Sequence, residues 1–282
     1  MKVNVSKSSK LGKTIMAADL LAPWTYYKRP FHIYGNLYFV GFQPASTHII
    51  DTGEGLVIID PGYQEFLYMV LENIRILGFD PKDIRYIVHS HAHLDHAGAT
   101  FALKQLTGAK TFMGENDCSI ANGKHPTLTG VGNRHYNHFE PDQHIHDGDH
   151  IRLGNLDMEC VETPGHTLGT ISFFWNITRN RRTLRAGMMG GAGFNTLASK
   201  YIHEHQLEAE DRRGLYQKSI LRCLQEHVDI FVGNHTGQND TFGKQERMEA
   251  GDTEAFLHSE DWPNFLAGLQ KQLDEINVSD PL

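Results

Sequence analysis

The sequence predicts an α/β fold in which two mixed β-sheets pack face to face, with helices on both outer faces. Three observations lead there. Strand and helix patterns alternate along the 282 residues. Each half opens on strand hairpins and goes on to strand–helix units. No low-complexity linker separates the halves. A sheet that is apolar on both faces needs a partner sheet on one side and helices on the other. The reading is one domain over residues 1–282, with residues 1–30 irregular and anchored by Trp24, Tyr26 and Tyr27.

In order, residues 32–42 and 46–60 read as strands, rich in aromatic and β-branched residues, with D-T-G-E-G as a hairpin turn. Residues 64–77 carry apolar positions at helical spacing, and Gly78 is placed to end that helix. Residues 84–89 form a short apolar strand, 97–107 a helix and 109–113 a strand. Residues 114–147 are polar and read as a loop with a short helix near Cys118. Residues 147–162 form a hairpin about Gly154-Asn155, and strands follow at 170–177 and 184–188. A helix over 207–226, a strand over 228–232 and an amphipathic helix over 262–275 complete the chain.

Composition removes several function classes. The chain is acidic, with a formal net charge of −8, and its one basic cluster (Arg179, Arg181, Arg182, Arg185) reads as a solvated hairpin. A nucleic-acid partner is not expected, because phosphates need a positive face. No apolar run is long enough to span a membrane. The stretch Ile15–Ala22 is broken by Asp19, so no signal peptide is read, and the expected location is cytoplasmic. Cys118, Cys160 and Cys223 are far apart and odd in number, which suits reduced thiols. A small-molecule substrate is the expected partner, and the oligomeric state is left open.

Eighteen histidines are the outlier. Four donors, His91, His93, Asp95 and His96, fall within six residues of V-H-S-H-A-H-L-D-H-A-G, between a buried strand and a helix. Residues two apart in an extended segment project to the same side, so His91 and His93 can grip one ion. Asp95 and His96 lie where the chain turns into the helix and can face a second. A polar loop with incidental histidines is the competing reading, and the strand–helix context argues against it. His166, in E-T-P-G-H-T-L-G-T, and His235, in D-I-F-V-G-N-H-T-G, also follow strands. Six donors suffice for two zinc ions, each with three protein ligands and an open position. His144 and His146 read as exposed strand residues, His203 and His205 as a polar lead-in to a helix, and His89 as packing beside the site.

This pattern resembles the metallo-β-lactamase superfamily over roughly residues 30 to 240, in motif order and spacing. The resemblance implies the αβ/βα sandwich and two zinc ions per chain, one on His91, His93 and His166, the other on Asp95, His96 and His235. Many branches of the superfamily carry a bridging Asp, and one β-lactamase subclass a Cys, near the stretch T-L-R-A-G-M-M-G-G-A-G-F-N at 183–195. Neither is present here. The chain therefore looks most like the β-lactamase subclass, B3, with His-His-His and Asp-His-His sites. That subclass holds the substrate carboxylate with serines where this chain has Met189, Gly190 and Gly191, so these three mark the expected substrate pocket. The activity implied is the opening of an amide, such as a β-lactam ring, by a metal-activated water that Asp95 orients. The alternatives are a housekeeping hydrolase of lactones, esters or thioesters on the same site, and a metal-binding protein without catalysis.

Overall fold

The structure is a computed structural model that describes residues 21–125, 128 and 137–282. Most of the expected irregular N-terminal segment, and part of the polar stretch after Cys118, lie outside the described residues. Of that N-terminal segment, Pro23–Tyr26 form a 3-10 turn and Tyr27 bridges to Phe42.

Twelve strands among the described residues build two sheets. The first runs β1 (Phe31–Tyr34), β2 (Leu37–Phe39), β3 (His48–Asp51), β4 (Leu56–Ile59), β5 (Ile84–Val88), β6 (Lys110–Gly114) and β7 (Gln143–Ile145), in that spatial order. It is antiparallel as far as β4 and parallel from β4 to β7. The second holds β8 (His150–Leu153), β9 (Leu156–Glu162), β10 (Ile171–Arg179), β11 (Arg182–Met188) and β12 (Ile230–Phe231), with β12 beside β11 at one edge and β8 at the other. Only the β11–β12 pair is parallel there. Turn chemistry sets the β8–β9 hairpin. Gly154 adopts φ +50°, and a Cβ there would meet the Thr52 carbonyl oxygen at 2.1 Å.

Side-chain alternation sorts each strand between two cores. Ile50, Val57 and Ile59 face the second sheet and pack in one cluster with Met158, Phe173 and Trp175. Their neighbours Ile49 and Ile58 face outward, in a cluster with Val70 and Ile74 of α1 (Leu67–Ile76) and Leu103 of α3 (Thr100–Thr107). Beyond the second sheet, Phe174 and Phe231 pack with Tyr216 and Ile220 of α6 (Arg212–Cys223) and Trp262 and Leu266 of α8 (Asp261–Ser279). The architecture is thus helix, sheet, sheet, helix, as expected. Truncating a fully buried aromatic such as Trp175 to alanine costs about 3–5 kcal/mol in such a core.

Several elements differ from expectation. The stretch 32–42 is a hairpin rather than one strand. Residues 143–145 pair with β6 instead of lying in a loop. Two helices appear where none was read, α5 (Ser199–His205) and α7 (Thr241–Glu249). The helix expected at 207–226 begins at Arg212, where the Asp211 side chain accepts from the Gly214 amide. The short helix near Cys118 is α4 (Cys118–Ala121). All three cysteines are free and buried, and burial pushes the Cys118 and Cys223 thiols up to about 12. No described helix is long and apolar enough to cross a membrane.

Candidate metal centre

The carboxyl ends of β4, β5 and β12, together with the β9–β10 turn, open on one edge of the two sheets. The β5 end delivers His91 and His93 in extended backbone. The turn into α2 (Leu94–Ala97) delivers Asp95 and His96, the β9–β10 turn His166, and the segment after β12 His235. All six come together.

They form two trios. In the first, one donor atom each of His91, His93 and His166 lies within 4.8 Å of the others, and all three side chains are buried. His166 Nε2 stands 2.9 Å from His93 Nδ1. The other His166 nitrogen donates to the Gly193 carbonyl at 2.8 Å, so Nε2 keeps its lone pair. In the second, His96 Nε2 is 3.1 Å from His235 Nε2 and 3.5 Å from Asp95 Oδ2, while His235 Nε2 is 3.4 Å from the same oxygen. His91 also stands within reach of Asp95 and His96, so the trios adjoin. The Asp95 side chain is 17% exposed and that of His235 30%, which makes this the open side.

These donors fit a cation. His91 Nε2 is buried without a hydrogen-bond partner, and nitrogen faces nitrogen at short range in both trios. Burial drives His91 and His93 well below their ordinary range, brings His166 to about 3 and His235 to about 4, so all four are neutral lone-pair donors. His96 is opposite. Burial alone would lower it, but the Asp95 and Asp60 carboxylates outweigh that and raise it to about 10. Burial would raise Asp95, yet His96, His235 and His93 hold its carboxyl far below the usual range. The second trio therefore sits among two carboxylates, Asp95 and Asp60, whose charge a cation taking the place of the His96 Nε2 proton would balance.

A supporting shell fixes these donors, and sequence reading missed it. Asp60, with φ +52° just past β4, accepts from the Ser90 amide at 2.7 Å, the Ser90 hydroxyl at 2.6 Å and His96 Nδ1 at 2.8 Å. Ser90 Oγ in turn lies 3.0 Å from His91 Nδ1. Its proton goes to Asp60, so it accepts from His91, which turns the His91 Nε2 lone pair inward. Asp117, wholly buried, accepts from the Ala92 amide, the Thr167 hydroxyl and the Gly169 amide, each at 2.8 Å. It ties the loop of His91 and His93 to that of His166. Arg212 donates to the His166 carbonyl at 3.1 Å and is fixed by Glu210 at 2.6 Å. The only sequence signals for Asp60 and Asp117 were a lone Asp after the apolar run of β4 and another shortly after that of β6.

Met189, Gly190 and Gly191 follow β11 towards His166. Met189 is buried among Val161, Phe174 and Tyr216. The Gly190 amide donates to Ser172 Oγ at 3.2 Å, and a Cβ on Gly190 would meet the Ile171 carbonyl oxygen at 2.2 Å. Gly191 has φ +57°, and a Cβ there would lie 2.8 Å from His166 Cδ2. Room for side chains at these glycines is thus taken by the β9–β10 turn. His89 packs beside the site, with Nδ1 2.8 Å from the Phe112 carbonyl oxygen and Nε2 2.7 Å from Thr100 Oγ1. His144 faces Glu115, while His203 on α5 faces Glu208 and His205 lies against the Tyr201 ring.

Comparison with known proteins agrees with this geometry. The family model described as the metallo-beta-lactamase superfamily matches residues 40–235. A probable metallo-hydrolase of Methanocaldococcus jannaschii is 26% identical over 138 residues, 48% of this chain, and the match spans 65% of that protein's length. The hydroxyacylglutathione hydrolase GloC of Haemophilus influenzae is 28% identical over 213 residues, covering 73% of this chain and 91% of that one. Among solved structures, a class B3 di-zinc metallo-β-lactamase from an Alaskan soil metagenome superposes with a TM-score of 0.80 at 26% identity, covering 94% of this chain and 98% of that one.

Proposed function

The chain belongs to the metallo-β-lactamase superfamily, and from that premise we propose that it is a hydrolase that carries two zinc ions and opens a strained cyclic amide such as a β-lactam ring. One observation supports this most. Two adjoining donor trios, His91/His93/His166 and Asp95/His96/His235, stand at one edge, and the stretch at 183–195 beside them offers neither carboxylate nor thiol. Bound there, zinc lowers the pKa of a coordinated water towards neutrality and polarises a substrate carbonyl.

The chain's own residues supply orientation. Asp95 stays ionised, so the carboxylate oxygen not turned to His96 and His235 can accept a hydrogen bond from the attacking water and aim its lone pair at the carbonyl carbon. Asp60 and Ser90 keep His91 in the tautomer that presents Nε2. Asp117 holds the His166 loop against the His91 loop, and Arg212 ties the His166 loop to α6. Where the B3-like pattern has serines, this chain offers no hydroxyl at 189–191, and each absent hydrogen bond to a substrate carboxylate forgoes about 1 kcal/mol or somewhat more. β-Lactam turnover is therefore expected to be measurable but slow.

The similarity to a hydroxyacylglutathione hydrolase over 91% of its length favours a second reading, hydrolysis of an ester, lactone or thioester at the same centre. The deciding experiment is steady-state kinetics of zinc-loaded protein on a penicillin, a carbapenem, an acyl lactone and a glutathione thioester. Measurable β-lactam opening that falls roughly 100-fold or more in Asp95→Asn, with the fold intact, supports the first reading. Thioester or lactone turnover without any β-lactam opening replaces it with the second.

A further inference from the structure

Among the described residues outside this centre, one cluster brings together three different metal-binding side chains. Glu115 opens a 3-10 turn directly after β6, Cys118 opens α4, and His144 lies in the middle of β7. The parallel β6–β7 pairing sets Met113 opposite His144, which fixes the histidine beside that turn. One donor atom from each of the three lies within 4.8 Å of the others, and His144 Nδ1 touches the Glu115 carboxylate. We propose that Glu115, Cys118 and His144 form a separate site for a zinc-class divalent ion.

The donor set selects the ion. Sulfur, imidazole nitrogen and carboxylate oxygen together suit a borderline-soft cation, whereas magnesium and calcium prefer oxygen throughout. Zinc bonds of about 2.0–2.3 Å need only a modest closing of this spacing. The site is open to entry, because the His144 and Glu115 side chains are 41% and 46% exposed while Cys118 forms a buried floor. Three protein ligands leave a fourth position for water. On binding, the Cys118 thiol proton passes to solvent and His144 binds as the neutral imidazole.

The position gives the site a purpose. Asp117 stands between Glu115 and Cys118 in sequence, and it is the carboxylate that ties the His91 and His166 loops together. An ion held by its neighbours would pin that turn without touching substrate.

Cobalt(II) distinguishes this site from the histidine centre. The six donors of the centre include no sulfur, and Cys160 and Cys223 are buried in other apolar clusters. A thiolate-to-cobalt charge-transfer band in the near ultraviolet therefore reports Cys118 alone. Metal-stripped full chain titrated with cobalt is expected to develop this band with the amplitude of one thiolate–cobalt site, within a total of up to three bound equivalents once the histidine centre is counted. It should vanish in Cys118→Ser, persist in Cys160→Ala, and need roughly tenfold or more cobalt in His144→Ala, an exposed change that leaves the core untouched. No such band when folded wild type is saturated with cobalt, or a band indifferent to His144→Ala, would overturn the proposal and leave a surface His–Glu ion pair.

Discussion

His96 donates from Nδ1 to Asp60 Oδ2 at 2.8 Å, and both side chains are sealed from solvent. Through Ser90 the same carboxylate also sets His91. One residue outside both trios thus orients a donor in each.

Asp60→Asn tests that leverage. An amide cannot accept all three hydrogen bonds with a full charge, and its NH₂ group opposes the Ser90 and His96 donors. Metal affinity is expected to fall about 10–100-fold, the usual range for removing such a partner. Binding at the Asp95/His96/His235 trio should suffer more, because His96 loses its direct contact whereas His91 is held through Ser90. Competition with a chromophoric chelator measures both steps, and unchanged affinities would remove Asp60 from the account.

Gly191→Ala should injure the centre through His166. The position has φ +57°, where a Cβ costs roughly 1 kcal/mol or more before any contact is counted. The added carbon would also lie 2.8 Å from His166 Cδ2 and 2.9 Å from its Cβ. A lower melting temperature and weaker binding at the His91/His93/His166 trio are expected together. Isothermal titration calorimetry beside thermal melts checks this, and a variant that binds metal like wild type would show that the β9–β10 turn yields easily.

His48 predicts an acid limit on the stability of the metal-free chain. Burial lowers its pKa from 6.5 to about 4. Between those values the unfolded chain takes up a proton that the folded chain refuses. Stability is therefore full above pH 6.5, declines as pH falls through that window, and loses about 1.4 kcal/mol per pH unit at most from this one group. Thermal melts of metal-free protein between pH 7.5 and pH 5, chosen as roughly one unit either side of the ordinary value, should drop more in wild type than in His48→Gln. Equal drops would assign the acid sensitivity to other groups.

Contiguity decided what could be read from sequence. The His91–His96 motif is six residues long and sits between a recognisable strand and helix, so neighbouring residues carry its meaning. His166 and His235 were legible from their place after apolar strands. Asp60 and Asp117 were not, because a single carboxylate after a strand is commonplace and their partners lie 30 and 25 residues or more away in sequence. Helix α7 was missed for a related reason. Its sequence T-F-G-K-Q-E-R-M-E shows little apolar periodicity, and tertiary contacts hold it, among them buried Lys244 against Asp261 of α8 at 2.5 Å and Phe242 and Met248 against the core between the sheets. Helix α5 likewise depends on Asp280, which accepts from the Ser199 amide at 2.7 Å.

Each trio draws two members from the first half of the chain and one from the second. His93 and His166 are 73 residues apart, and His96 and His235 are 139 apart. During synthesis, a ribosome that has finished the H-S-H-A-H-L-D-H motif has therefore made only two-thirds of either cage. Closing loops of that length is entropically slow to achieve without the packed sheets to carry their ends. A metal ion met early would find only a loose grip, and tight capture must wait until the last strand docks. On the proposed metal-bound reading, tight metal uptake is thus expected only after the two halves join.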